Sequence, residues 1–117
     1  MESEKILEIA VKAADDKRAE DIVGLDVRGI SVLADYFVIC HGNSDKQVLA
    51  IANEVVDKMA EHHVEIKRVE GKDSARWILV DLGDVIVHVF HAEEREFYNL
   101  EKLWSDAPLV NLTALVE

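Results

Sequence analysis

Cysteine is nearly missing from this chain: Cys40 is the only one. A single thiol cannot close an internal disulfide, and a reducing compartment fits that usage. Proline is equally scarce, with Pro108 alone, and no Pro-rich or low-complexity stretch marks a linker. Basic residues are in deficit, 13 Lys and Arg against 24 Asp and Glu, for a formal net charge of -11. Phosphate backbones are bound by clustered Lys and Arg that displace counterions. Here the cations are few and scattered, which speaks against direct nucleic-acid binding. No apolar run approaches the ~18 residues that cross a membrane. Met1-Glu2-Ser3-Glu4 is acidic and lacks the positive start of a signal peptide. The expectation is a soluble, cytoplasmic protein.

What is present is a 117-residue chain, half of it hydrophobic, enough for one domain with a core that needs neither disulfide nor structural metal. The acidic excess favours a basic partner such as a protein surface. Plain solubility explains the same excess equally well.

Hydrophobic periodicity gives the elements. Ile6, Leu7, Ala10, Val11, Ala13 and Ala14 predict a helix over residues 3–18, with Ser3 as N-cap. Ile22, Val23, Leu25 and Val27 predict a strand over residues 21–27. Tyr36-Phe37-Val38-Ile39-Cys40 is a continuous apolar run, as in a central strand buried on both faces. Ser44-Asp45-Lys46-Gln47 fits a capping box, followed by the stripe Val48, Ile51, Ala52, Val55, Val56 and Met59. Strands are expected over residues 64–69, 77–81 and 84–90. A last helix over residues 93–104 would align Phe97, Leu100, Leu103 and Trp104 on one side, ending before Pro108. The fold class is α/β, a single domain over residues 1–107 with a mixed sheet of about five strands flanked by helices. Residues 108–117 show no period and are read as a C-terminal tail.

The segment Trp77 to Val89 is the most informative. With Leu82-Gly83 as a two-residue turn, Asp81 faces Asp84, Val80 faces Val85, Leu79 faces Ile86, Ile78 faces Val87 and Trp77 faces His88. One face of this hairpin, Ile78, Val80, Val85, Val87 and Val89, is wholly apolar and belongs to the core. The other carries Trp77, Leu79, Ile86 and His88 and ends in two opposed carboxylates. Like charges across a strand pair repel. An apolar patch rimmed by acids suits docking of a basic protein, and Trp is a favoured anchor. Alternatively, Phe97, Leu100 and Trp104 of the last helix cover this face and leave the acids solvated at the hairpin tip.

Other groups resemble chemical sites less well. Asp81, Asp84 and His88 contain metal-ligand types. His88 lies four residues beyond Asp84, more than about 12 Å along a strand, too far to share one ion. His88 and His91 point to opposite faces of a strand, and His62-His63 sit at a helix end. Cys40, in an apolar strand, reads as a buried structural thiol. No G-x-S-x-G, P-loop or dinucleotide-binding pattern occurs.

Five segments together resemble the Iojap, or ribosomal silencing factor (RsfS), family. They are Ala34-Asp35-Tyr36-Phe37-Val38-Ile39-Cys40, Gly42-Asn43-Ser44, Val69-Glu70-Gly71, the hairpin from Trp77 to His88, and Phe97-Tyr98-Asn99-Leu100-Glu101-Lys102-Leu103-Trp104. The resemblance runs from about residue 3 to 107. It implies a nucleotidyltransferase-like fold without catalytic carboxylates, no enzymatic activity and no cofactor. It also implies binding to the fourteenth protein of the large ribosomal subunit, blocking of subunit joining, repression of translation in starvation, and homodimers. Carried onto this chain, the contact residues are Trp77, Leu79, Asp81 and Asp84, with Glu70 and His88 beside them. The competing enzymatic reading is a divergent nucleotidyltransferase holding a nucleotide on the amides of the Gly42-Asn43-Ser44 turn. The residues that follow, Asp45, Lys46 and Gln47, lack the metal-binding carboxylate pair. A thermal-shift screen with nucleotide and magnesium separates the readings, since only the enzyme gains a stabilising shift. A dimeric scaffold for another basic partner is a third reading.

Overall fold

The computed structural model describes residues 1–116. The chain opens with helix α1 (Ser3–Asp16), which buries Ile6, Leu7, Ile9, Ala10, Val11, Ala13 and Ala14 along one face. Glu2 rather than Ser3 occupies the cap position, and its side chain makes no capping hydrogen bond. Arg18, in the left-handed region at φ 61, turns the chain into strand β1 (Glu20–Asp26). Strand β2 (Tyr36–Gly42) follows, and its residues Tyr36 to Cys40 are all buried, as the unbroken apolar run predicts.

Helix α2 (Asp45–Glu61) starts where the sequence places it. The Gln47 N–H donates to Ser44 Oγ at 3.1 Å. The Gln47 side chain reaches back to accept from the Asn43 N–H at 2.8 Å, one residue earlier than in a standard capping box. Val48, Ile51, Ala52, Val55 and Met59 face inward.

Strands β3 (Arg68–Glu70), β4 (Trp77–Asp81) and β5 (Val85–His91) come next, then the short helices α3 (Ala92–Tyr98) and α4 (Leu100–Leu103), and finally β6 (Leu109–Val110). The sheet has six strands rather than about five, in the order β3-β4-β5-β2-β1-β6. Only β2 and β5 run parallel, from Tyr36 opposite Val85 to Gly42 opposite His91, and the other pairs are antiparallel. Helices α1 and α2 pack with one sheet face in the larger core, around Val38, Cys40, Ile78, Val80, Val85, Val87 and Val89. The opposite face holds a smaller core of Leu25, Val27, Phe37, Ile39, Ile86 and Phe90, against which Leu100 and Trp104 pack.

Three expectations are corrected. The strand predicted over residues 64–69 pairs only from Arg68. Val64 and Ile66 pack against the larger core instead of joining a ladder. The helix predicted over residues 93–104 breaks at Asn99, which adopts φ 46, a conformation Asn tolerates better than most residues. The break lets Glu101 turn back onto Arg95, with Nε donating to Oε1 at 3.0 Å. In an unbroken helix, residues six apart point about 120° away from each other and lie more than a turn and a half apart along the axis. The stretch after Pro108, read as a tail, adds β6 beside β1 and buries Leu112 in the larger core.

Gly71 begins the connection from β3 to β4 with φ +91, and an added Cβ would collide with the carbonyl oxygen of Trp77. Both the conformation and the approach require glycine. Gly71→Ala is expected to cost about 2 kcal/mol or more of stability, read from the urea-unfolding midpoint.

Candidate functional site: an aromatic face on the β4–β5 hairpin

The hairpin turns one residue later than predicted. Gly83 and Asp84 form the turn, with the Leu82 N–H donating to Val85 O at 2.9 Å. Gly83 has φ +89, a position where the predicted turn would have put Leu82 under strain. Leu82 is instead buried in the larger core. The pairs become Trp77 with Phe90, Ile78 with Val89, Leu79 with His88, Val80 with Val87, and Asp81 with Ile86. Every partner moves by two residues, so strand alternation keeps each side chain on its expected face. Ile78, Val80, Val85, Val87 and Val89 belong to the larger core, while Trp77, Leu79, Ile86 and Phe90 belong to the smaller one.

The two carboxylates do not oppose each other. Asp81 Oδ1 accepts from the Gly83 N–H at 2.9 Å, and Asp81 Oδ2 lies 3.4 Å from Arg68 Nε. Arg68 also pairs with Glu70 at 3.3 Å. Asp81 therefore has a cation from its own chain, and the repulsion argument falls away. Asp84 is exposed at the turn and has no ion-pair partner among the described residues.

At the other end of the hairpin stands an aromatic cluster. The half-buried Trp77 packs on Phe90 at 4.9 Å between ring centroids and on Tyr98 at 4.8 Å. Phe97 meets Tyr98 edge-on at 5.1 Å and is 78% exposed. Phe37 meets Trp104 edge-on at 5.1 Å. The last helical segment covers this face only in part. Leu100 and Trp104 pack on it, whereas Phe97 and Leu103 point to solvent. Sequence reasoning aligned all four on one side of a single helix, with Phe97, Leu100 and Trp104 covering the face as the alternative, and it missed Phe97 and Tyr98 as part of the exposed face. Asn99 was the signal, because an αL-tolerant residue amid the pattern re-aims the side chains on either side.

Of the expected contact residues, Trp77, Leu79 and Asp81 are half-buried, and Glu70 and Asp84 are exposed. His88 is corrected: at 6% exposure it lies beneath the surface, its Nδ1 accepting from Trp77 Nε1 at 3.2 Å. Burial pushes its pKa down from 6.5 to about 4. The buried Cys40 thiol is pushed up to about 12 by the same cause, which keeps it protonated. Among the described residues no group of three or more His, Cys, Asp or Glu side chains could hold a metal ion. At the Gly42-Asn43-Ser44 turn, the chain itself uses the Asn43 and Gln47 amides that an anion would need. Among the described residues no helix is long and apolar enough to cross a membrane.

The whole chain, residues 1–117, matches the family model described as "Ribosomal silencing factor during starvation". It is 64% identical over 112 residues to the ribosomal silencing factor RsfS of Bacillus subtilis, covering 96% of this chain and 95% of that protein. A crystal structure from Bacillus halodurans superposes with a TM-score of 0.85 at 56% identity, covering 94% of this chain and all of the other. The chloroplastic protein Iojap of Zea mays is 34% identical over 101 residues, covering 86% of this chain and 44% of that protein. The chain belongs to the ribosomal silencing factor family.

The neutral state of His88 has a consequence for stability. The unfolded chain takes up this proton below about pH 6.5, whereas the folded protein resists it until about pH 4. The contribution of His88 is therefore present in full above pH 6.5 and lost as pH falls towards 4, by about 3 kcal/mol at most. The urea midpoint is expected to drop more steeply between pH 7 and pH 4.5 in the wild type than in His88→Phe.

Proposed function

We propose that the aromatic face docks on a basic protein of the large ribosomal subunit, its fourteenth, and that this occupancy sterically keeps the small subunit away. Translation is thereby repressed in the cytoplasm, without chemistry or cofactor. The observation that carries the reading is the face itself: Trp77, Tyr98 and Phe97 form a partly exposed apolar surface at one end of the β4–β5 hairpin, and Leu79, paired with Glu70, leads along β4 to Asp81 and the exposed Asp84 at the turn. Aromatic anchors within a polar rim are the usual anatomy of a protein interface. The net charge of -11 steers a basic partner towards the chain. Family membership supports the ribosome as the setting. Among the rim acids Asp84 is the best placed to receive a partner's Lys or Arg, because Asp81 and Glu70 already share Arg68. The family resemblance further implies homodimers, whose mass the same sedimentation runs report.

The test is co-sedimentation with separated subunits, with subunit association followed by light scattering. Trp77→Ala is expected to weaken large-subunit binding by ~2 kcal/mol or more, about thirtyfold. Asp84→Lys is expected to weaken binding most at low salt, where surface charges are least screened. Wild-type affinity in the Trp77→Ala, Asp84→Lys double variant would sink the assignment of this face.

A further inference from the structure

His88 sits in the middle of β5 with its ring between Phe37 of β2, edge-on at 5.3 Å, Trp77 of β4 at 6.0 Å and Phe90 at 6.3 Å. The indole nitrogen of Trp77 can only donate, so the imidazole nitrogen facing it, Nδ1, must be the unprotonated one. The ring hydrogen then belongs on Nε2. That atom is fully buried and has no hydrogen-bond partner among the described residues. A buried donor left unpaired is destabilising, and an apolar residue here would avoid it. Burial accounts for the neutral state of the ring.

The orphaned nitrogen therefore has no local return, whereas the other nitrogen does. A half-buried indole needs an acceptor for its N–H, and His88 Nδ1 is the one that Trp77 has. Phe90 and Tyr98 pack on the indole ring, while His88 fixes which edge points inward. We propose that His88 is a positioning residue for the docking face: it never touches the partner, but locks the indole of Trp77 in the orientation that the partner meets. This rests on the docking reading above. An anchor that is already ordered loses less side-chain freedom on binding, so affinity rises without any new contact.

The test pairs a spectroscopic readout with a mutant cycle on the full chain. With the indole nitrogens labelled in 15N, Trp77 and Trp104 are distinguished by Trp104→Phe. In the wild type the Trp77 indole N–H is expected to exchange slowly with water. In His88→Phe, which keeps a ring but removes the acceptor, it should exchange at least tenfold faster. His88→Asn, whose Oδ1 can stand near the position of Nδ1, should restore slow exchange. Affinity for isolated large subunits should fall about threefold to tenfold in His88→Phe, and less than twofold in His88→Asn. In a Trp77→Ala background, His88→Phe should have no further effect.

Unchanged indole exchange in His88→Phe would overturn the proposal, as would an equal loss of affinity with and without Trp77. Should His88→Phe fail to fold, His88→Leu takes its place, and a scalar coupling between Trp77 Nε1 and His88 Nδ1 in the labelled wild type reads the bond directly. Its absence counts against the proposal. If Trp77→Ala alone binds ribosomes normally, the docking reading fails, while the exchange data still decide whether His88 orients Trp77.

Discussion

The parallel pairing of β2 with β5 is the constraint on which the rest of the structure hangs. Seven residues of each strand are in register, and both strands lie inside the sheet with both faces buried. Parallel strands cannot be joined by a tight turn, so the chain must cross over between them, here through α2, β3 and β4. Helices α1 and α2 use up one face of the sheet. Among the described helices, only the broken one after β5 packs on the other, through Leu100 and Trp104, and it covers it in part. The aromatic face is what that shortfall leaves open. Trp77 is left half-buried beside Tyr98, and the exposed Phe97 extends the open face.

Charge is arranged differently from the way a linear reading suggests. The chain is strongly acidic, yet its few cations are placed against particular acids. Arg68 joins Asp81 and Glu70, Arg76 joins Glu93, Glu94 and Asp45, and the buried Arg95 joins Glu101. Exposed pairs of this kind add little stability. Their effect at the hairpin is to leave Asp84 as the acid without an ion-pair partner of its own among the described residues. The rim is thus less repulsive, and more selective in where it can receive a cation, than two opposed carboxylates would be.

Much of this was legible from pattern. The buried run of β2, the cap at Ser44 and the stripe of α2 follow directly from periodicity and capping chemistry. The hairpin faces were legible although the register was not: the misplaced turn moved each partner by two, and a strand's period of two hides such an error. Three features were missed. Asn99 breaks a helix whose apolar spacing continues through it, and the break brings Glu101 onto Arg95. β6 is two residues long, too short for any period to show. His88 was expected opposite Trp77 on the exposed face of the hairpin, whereas the packing of Phe37 and Phe90 around it leaves it buried.

The account stands or falls on which surface meets the ribosome. Hydroxyl-radical footprinting of the intact protein, free and bound to large subunits, measures this directly. Trp77, Phe97 and Tyr98 are expected to be protected on binding, while His62 and His63, exposed at the end of α2, remain as reactive as in the free protein. Protection of His62 and His63 with no change at Trp77, Phe97 and Tyr98 would contradict the account.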